Sequence, residues 1–123
     1  MAWSFRSGVS LSVQIVDRLR VDILSGKYER GSAFPTVRQL AAEAAVNPNT
    51  MQKALMLLES EGLIVTRGTA GRLVTDDPVV IERARRLECD KFVASVIREA
   101  RGAGLCRDAF IEEIKKGWMD DEK

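Results

Sequence analysis

The sequence predicts a mainly α-helical chain that carries one small β-hairpin and ends in two further helices. Three observations support this fold class. Two short helical patterns follow one another within residues 35–63, a β-like run with a glycine-punctuated turn comes next, and two amphipathic helical patterns fill most of residues 79–118. The pattern changes at Asp76-Asp77-Pro78, which predicts two domains, residues 1–77 and residues 78–123.

An opening helix is predicted from about Ser10 to Ser25. Its apolar residues share one stripe at helical spacing, which is typical of the floor of a small core: Leu11, Ile15, Val16, Leu19 and Ile23. The aromatic residues Trp3 and Phe5 precede this helix. We expect them to pack against the body of the domain rather than to form an extended arm.

Two helix start signals lie close together in the next segment. Thr36 and Gln39 form a capping-box pattern, and Asn47 followed by Pro48 is an N-cap with proline in the first helical turn. Gly62 stands where the second helix of this pair should end. One stripe of the second helix is apolar (Met51, Ala54, Leu55 and Leu58), and its opposite face carries Asn49, Gln52, Lys53 and Met56.

This polar face has side chains suited to the major groove of DNA. Asn and Gln pair with adenine edges, Lys reaches guanine or phosphate, and Met contacts a thymine methyl group. Helix-turn-helix pairs are also common supersecondary units, and a polar helix face is usually only a solvated one. Periodicity alone leaves both interpretations open.

A basic hairpin follows directly and favours the first interpretation. Leu63–Arg67 is a short β-like run, a turn with an arginine at each end spans Arg67–Arg72, and Leu73–Thr75 closes the hairpin. A hairpin in this position is a wing, whose arginines contact phosphates or enter a minor groove. The fold class is therefore a winged helix-turn-helix domain with a two-helix C-terminal appendage for dimerisation.

Residues 9–75 resemble the winged-helix domain of the GntR family of bacterial transcription regulators. The motifs that carry the resemblance are Leu24-Ser25-Gly26-Lys27-Tyr28, Pro35-Thr36-Val37-Arg38-Gln39-Leu40-Ala41, Val46-Asn47-Pro48-Asn49-Thr50, Glu61-Gly62-Leu63-Ile64 and Gly71-Arg72-Leu73-Val74. The tetrad at residues 47–50 and the short tail are similar to the YtrA-type subfamily. Its members often lie beside ABC-transporter genes.

This resemblance and the residue chemistry together give an expected DNA-binding surface. Thr36 and Arg38 would position the helix pair on the DNA backbone. The remaining expected DNA-binding residues are Asn47, Asn49, Thr50, Gln52 and Lys53 on the second helix, and Arg67, Gly71 and Arg72 in the wing. Ala45 stands where the family usually has glycine, so a left-handed turn there would cost roughly 1 kcal/mol.

Composition excludes most catalytic and metal-binding chemistry. The chain has no histidine, which excludes histidine-based triads, acid–base catalysis by histidine and histidine metal ligands. Cys89 and Cys106 lack a metal-ligand spacing, and we expect two free thiols packed as small hydrophobic groups in a reducing cytoplasm. We expect no enzyme activity, no metal, no cofactor and no membrane-spanning segment.

The net charge of +1 conceals an asymmetry between the two expected domains. Residues 1–75 carry 9 Lys and Arg against 6 Asp and Glu, whereas residues 76–123 have an acidic excess. The positive charge therefore lies in the part expected to bind DNA.

The C-terminal helices present apolar side chains in an unusual order. Val80, Ile81, Ala84 and Leu87 share one side of a helix over residues 79–100, but the later apolar residues lie roughly opposite, which indicates two successive partners or a break near Glu88–Lys91. We expect the early part to pack on the winged domain. We expect the later part and a final helix, about Arg107 to Trp118, to form a homodimer seam of Phe92, Val93, Val96, Ile97, Phe110, Ile111, Ile114 and Trp118. The alternative is a monomer in which both helices fold back.

The expected function is a cytoplasmic, homodimeric, sequence-specific regulator that binds double-stranded DNA and represses transcription. The alternative is a winged-helix module that binds a protein partner through the helical tail. A small-molecule effector stays open, but about 45 residues are too few for an ordinary ligand pocket unless the dimer interface supplies it.

Overall fold

The computed structural model describes residues 3–121, which form five α-helices and one antiparallel hairpin. The elements are α1 (Leu11–Leu24), α2 (Val37–Ala44), α3 (Pro48–Ser60), β1 (Ile64–Thr66), β2 (Arg72–Val74), α4 (Pro78–Gly102) and α5 (Arg107–Asp121). A single 3₁₀ turn, Gly68–Ala70, lies between the two strands. The mainly helical fold class with a small hairpin is confirmed.

The first three helices enclose one apolar core. Each contributes the stripe that its periodicity predicts, because residues three and four apart share a helix face. The fully buried side chains include Ile15 and Leu19 of α1, Leu40 of α2, and Met51, Leu55 and Leu58 of α3. Leu63, Ile64 and Val74 of the hairpin region close the core from one side.

The hairpin has an additional backbone partner that the sequence did not predict. β1 and β2 pair in the register Ile64↔Val74, Val65↔Leu73 and Thr66↔Arg72. The segment before α2 then lies along the outer side of β2, where Phe34 N–H donates to the Arg72 carbonyl (2.8 Å) and Val74 N–H donates to the Ser32 carbonyl (2.9 Å). This segment satisfies backbone groups of β2 that would otherwise lie at an open sheet edge.

The segment before α1 packs on the domain, as expected. Trp3 is 7% exposed and belongs to the core, and the Arg18 guanidinium lies 4.2 Å from the centre of its ring. The Gln14 side chain accepts a hydrogen bond from Arg6 N–H (2.8 Å) and donates to the Arg6 and Val9 carbonyls. The Arg18 guanidinium over the indole ring and the three hydrogen bonds of the Gln14 side chain together hold this segment in place.

The helix α4 is continuous through Glu88–Lys91, so no break forms there. Its first turns pack on the winged domain: Ile81 is 2% exposed, and Val80 and Ala84 lie against the core. Leu87, which was expected on the same side, is 58% exposed. A domain boundary was expected after residue 77, where α4 starts, whereas the chain divides into two compact units further along this helix, between residues 85 and 86.

The second unit contains the rest of α4 and all of α5, and none of its described residues is buried. Of the eight residues expected at a dimer seam, Phe92, Val93, Ile97, Ile114 and Trp118 are exposed, whereas Val96, Phe110 and Ile111 are half-buried. Within residues 3–121 no helix is both long and apolar enough to cross a membrane.

The two cysteines are free, as expected, but the expectation that they pack as small hydrophobic groups is wrong. Both Cys89 and Cys106 are exposed. Backbone N–H groups of Ala109 and Asp108, at the start of α5, lower the pKa of the Cys106 thiol. In the described part of the chain, no three Cys, Asp or Glu side chains are grouped as a metal site would require.

Candidate nucleic-acid interface

The helix α2 begins with the capping box that its sequence predicts. Thr36 Oγ1 accepts a hydrogen bond from Gln39 N–H (3.2 Å), and Gln39 Oε1 accepts one from Thr36 N–H (2.8 Å). The Thr36 hydroxyl therefore stabilises the helix itself and stays at its exposed start. Arg38, two residues further on, is also exposed, so both residues are accessible on the outer surface of the helix pair.

The turn between α2 and α3 is left-handed at Ala45, so the alanine adopts the conformation that the family's usual glycine would take there. Ala45 has φ 58° and ψ 48°, and it is the only described residue other than glycine with a positive φ. Val46 N–H donates to the Ala41 carbonyl (3.0 Å), and Ala45 N–H donates to the Ala42 carbonyl (3.3 Å). These two bonds are those of a Schellman motif, which ends α2 and reverses the chain even without the usual glycine.

The N-cap of α3 is Asn47, whose Oδ1 accepts a hydrogen bond from Asn49 N–H (2.7 Å). Its side-chain oxygen is therefore engaged within the protein. Four residues on the first turns of α3 were expected to contact bases: Asn49 and Lys53 are exposed, and Thr50 and Gln52 are half-buried. The apolar stripe of the same helix is buried, so these polar side chains lie on its free side.

The two arginines of the wing, which spans residues 63–75, differ in their exposure. Its turn is closed by hydrogen bonds from Arg67 N–H to the Gly71 carbonyl (2.8 Å) and from Ala70 N–H to the Arg67 carbonyl (2.9 Å). Gly71 adopts φ 77° there, a conformation that glycine reaches without strain. Arg67 is exposed, whereas the Arg72 side chain is only 22% exposed because it contacts α3.

Glu59, in the last turns of α3, binds both strands of the wing. Its Oε2 accepts a hydrogen bond from Thr66 Oγ1 (2.7 Å), and its Oε1 accepts one from Arg72 Nε (3.1 Å). The hydrogen bond from Thr66 and the neighbouring Arg72 guanidinium lower the pKa of Glu59, although partial burial opposes them. The carboxylate is therefore ionised at neutral pH and joins the helix to the wing.

A second ion pair fixes the end of α3 against α1. The Arg20 guanidinium donates to both Glu61 oxygens, from Nε (2.8 Å) and Nη2 (2.7 Å), and to Asp17 Oδ1 from Nη1 (2.8 Å). Arg20 is only 12% exposed, so water screens this fork-like pairing less than it would at an open surface. The orientation of α3 therefore depends on polar contacts as well as on its buried face.

Sequence reasoning missed the roles of Glu59, Glu61 and Arg20. Apart from the pairing of Arg20 with Asp17 three residues away, their partners lie 7 to 41 residues away in sequence, beyond the range of helical pairing rules. A signal did exist for Glu59: the hairpin register sets Thr66 opposite Arg72, so both side chains lie on the same face of the hairpin. Only the packing of α3 shows that this face meets a carboxylate.

Comparison with known proteins agrees with this geometry. Residues 11–74 match the family described as bacterial regulatory proteins, gntR family. The HTH-type transcriptional repressor YtrA of Bacillus subtilis is 29% identical over 90% of this chain and 86% of its own length. A GntR family transcriptional regulator from Listeria monocytogenes is 30% identical, with a TM-score of 0.80 over 91% of this chain and 98% of that one.

The DNA-binding domain of AraR, solved in complex with operator ORX1, is 25% identical, with a TM-score of 0.51 over 58% of this chain and 93% of that chain. These relatives are transcriptional regulators and not enzymes. The matched residues contain the helix pair and the wing described above. The chain belongs to the GntR family of bacterial transcription regulators, resembles its YtrA-type members, and carries the family's DNA-binding helix-turn-helix.

Proposed function

We propose that the protein is a cytoplasmic repressor that binds an inverted-repeat operator as a homodimer. The observation that carries the proposal is the exposed polar side of α3 beside a wing that two polar contacts fasten to it. A helix and a wing fixed relative to each other suit the simultaneous engagement of base edges and backbone. The printed name of the Bacillus subtilis relative, a repressor, supports the direction of control.

In the proposed complex, α3 lies in the major groove. Asn49, Thr50, Gln52 and Lys53 contact base edges. Thr36, Arg38 and the Asn47 region position the helix pair on the backbone, and the wing, which carries Arg67, Gly71 and Arg72, lies against the neighbouring DNA. Exposure of Asn49, Lys53, Arg38 and Arg67 supports these roles, since a contact with DNA requires an accessible side chain.

The homodimer is supported by apolar surface that one chain leaves uncovered. Phe92 is 70% exposed and Trp118 is 67% exposed, and large exposed apolar groups are typical of an interface. We propose that Val93, Val96, Ile97, Phe110, Ile111 and Ile114 join them in a two-fold seam. A symmetric dimer presents two copies of α3, which matches two operator half-sites.

Two finer parts of the proposal concern its context. The resemblance to YtrA-type regulators favours control of a transporter operon. An effector would bind at the seam between two chains, where a second copy could complete a pocket that about 45 residues cannot form alone.

The test is selection of tight-binding duplexes from a random pool with the purified full-length protein near physiological salt. Enrichment of an inverted repeat is the expected result. Lys53→Ala should weaken binding to the selected duplex by at least tenfold. Lys116→Ala removes the same charge from an exposed position of α5 and serves as the matched control. Equal losses in the two variants would contradict a specific role for α3.

Other outcomes separate the parts of the proposal. Enrichment of a single half-site would keep DNA binding and refute the two-fold dimer. If no sequence is enriched, the proposed operator binding fails, and the helical tail becomes the candidate docking surface of a protein-interaction module. A steep loss of affinity with rising salt is expected for the DNA-binding protein, because phosphate contacts release counterions.

A further inference from the structure

We propose that Glu59 is a positioning residue that holds the wing at a fixed distance from α3 and keeps Arg72 engaged inside the protein, so that Arg67 is the wing's phosphate-binding cation. This inference rests on the proposed DNA binding and adds a division of roles between the two wing arginines. Glu59 itself need not contact DNA.

The geometry of the carboxylate supports this role. Its two oxygens bind different strands: Oε2 accepts from Thr66 at the end of β1, and Oε1 accepts from Arg72 at the start of β2. Thr66 and Arg72 are register partners at the point where the hairpin opens into its turn. One side chain of α3 therefore binds one residue of each strand, at the end of the hairpin next to its turn.

Apart from the hydrogen bond from Phe34 N–H to the Arg72 carbonyl, the outer part of the wing has little other support. No residue from 65 to 73 is buried, and the turn is held by short backbone hydrogen bonds within residues 67–71. An exposed hairpin of this length is marginal on its own. The tie to Glu59 therefore contributes much of what keeps the turn in one position relative to α3.

The charges distinguish Arg67 from Arg72. Arg72 is paired through Nε at 3.1 Å with a carboxylate that is itself only 32% exposed, so a phosphate would have to compete with a partly desolvated negative charge for this guanidinium. Arg67 is exposed, and no carboxylate among the described residues pairs with it. A phosphate at the wing therefore meets Arg67 at a lower cost than Arg72.

Three variants separate the two functions of Glu59. Glu59→Gln keeps an acceptor for the Thr66 hydroxyl but removes the charge that engages Arg72. Thr66→Val removes only the hydroxyl, and Glu59→Ala removes both contacts. Glu43→Gln is the matched control, because it removes one carboxylate from an exposed position of α2 that contacts neither Thr66 nor Arg72.

The first measurement is amide hydrogen exchange in the free full-length protein. We expect Glu59→Ala to raise the exchange rate of the Arg67 amide, which is bonded to the Gly71 carbonyl, by fivefold or more. The amides in the middle of α3 should be unchanged. Glu43→Gln should leave both sets of amides unchanged. Protection of the wing that is the same in wild type and Glu59→Ala would overturn the positioning role.

The second measurement is the salt dependence of binding to two probes, the duplex selected by the wild type and a duplex of arbitrary sequence. Glu59→Gln frees Arg72 to contact a phosphate. The slope of log affinity against log salt should therefore be steeper in this variant than in the wild type by about 0.9, the value of one added phosphate contact. The preference for the selected duplex should fall about tenfold in Glu59→Gln. An unchanged slope would overturn the assignment of Arg72, since lost stability alone does not add a phosphate contact.

The two levels of inference fail separately. If the wild type binds neither probe, the proposed function is wrong, and the exchange result alone decides whether Glu59 fixes the wing. If the wild type binds but Glu59→Gln and Glu43→Gln behave alike, DNA binding stands and the division of roles between Arg67 and Arg72 is wrong.

Discussion

Replacing Ala45 by glycine should stabilise the protein, although the same change at most helical positions would weaken it. Ala45 has φ 58°, where its Cβ crowds the following carbonyl at a cost of roughly 1 kcal/mol. The side chain is exposed, so glycine loses no core packing there. Against this gain stands the greater freedom of glycine in the unfolded chain, which costs about 0.4–1 kcal/mol.

The net expectation is a stabilisation of about 0.5 kcal/mol, which corresponds to a rise in Tm of about 2–4 °C for a domain of this size. Ala42→Gly is the matched control. Ala42 is also exposed but lies within α2 in right-handed helical conformation, so glycine there should destabilise by about 1 kcal/mol. The two variants therefore carry the same chemical change with opposite expected signs.

The assay is urea unfolding followed by circular dichroism, at one protein concentration because dimerisation would make the midpoint depend on it. The reasoning is refuted if Ala45→Gly destabilises as much as Ala42→Gly. That result would mean that the turn between α2 and α3 does not use a left-handed residue at this position.

Three further predictions concern charge and assembly. Because the pKa of Glu59 lies below its ordinary 4.5, its contribution to stability is complete above that value and is lost as pH falls through the folded-state pKa; the destabilisation caused by Glu59→Gln should therefore shrink between pH 7 and pH 3 in urea midpoints. Glu61→Ala should lower the free energy of unfolding by about 1–2 kcal/mol, since it leaves the nearly buried Arg20 with fewer acceptors; an unfolding curve identical to wild type would contradict this. Ile97→Asp should reduce the sedimentation mass to that of one chain, whereas Val79→Asp, at another exposed aliphatic residue in the first turn of α4, should leave a dimer.

Local signals predicted the helix pair well because its ends are set by nearby residues. The capping box at Thr36, the cap at Asn47 and the stop at Gly62 all formed. Each depends on side chains within a few positions of the backbone groups that they satisfy. The hairpin was found for the same reason, with its ends displaced by one residue.

Contacts between distant segments could not be predicted in this way. Neither the backbone pairing of residues 32–34 with β2 nor the Arg20–Glu61 ion pair has a periodic signature. Leu87 is exposed for a related reason. Helical periodicity predicts which residues share a face of α4, but not how far along the helix the core covers that face. The expected contacts with DNA and with a second chain remain predictions for this reason.

The pairing of residues 32–34 with β2 also has a consequence for how the domain folds. The paired segments lie roughly 40 residues apart, and the whole helix pair is contained in the loop that they close. A disordered loop of that length is slow to close, whereas prior formation of α2 and α3 shortens it. We therefore expect the helix pair to form early and the sheet late. A change that strengthens the pairing at residues 32–34 should then slow unfolding and leave the folding rate nearly unchanged.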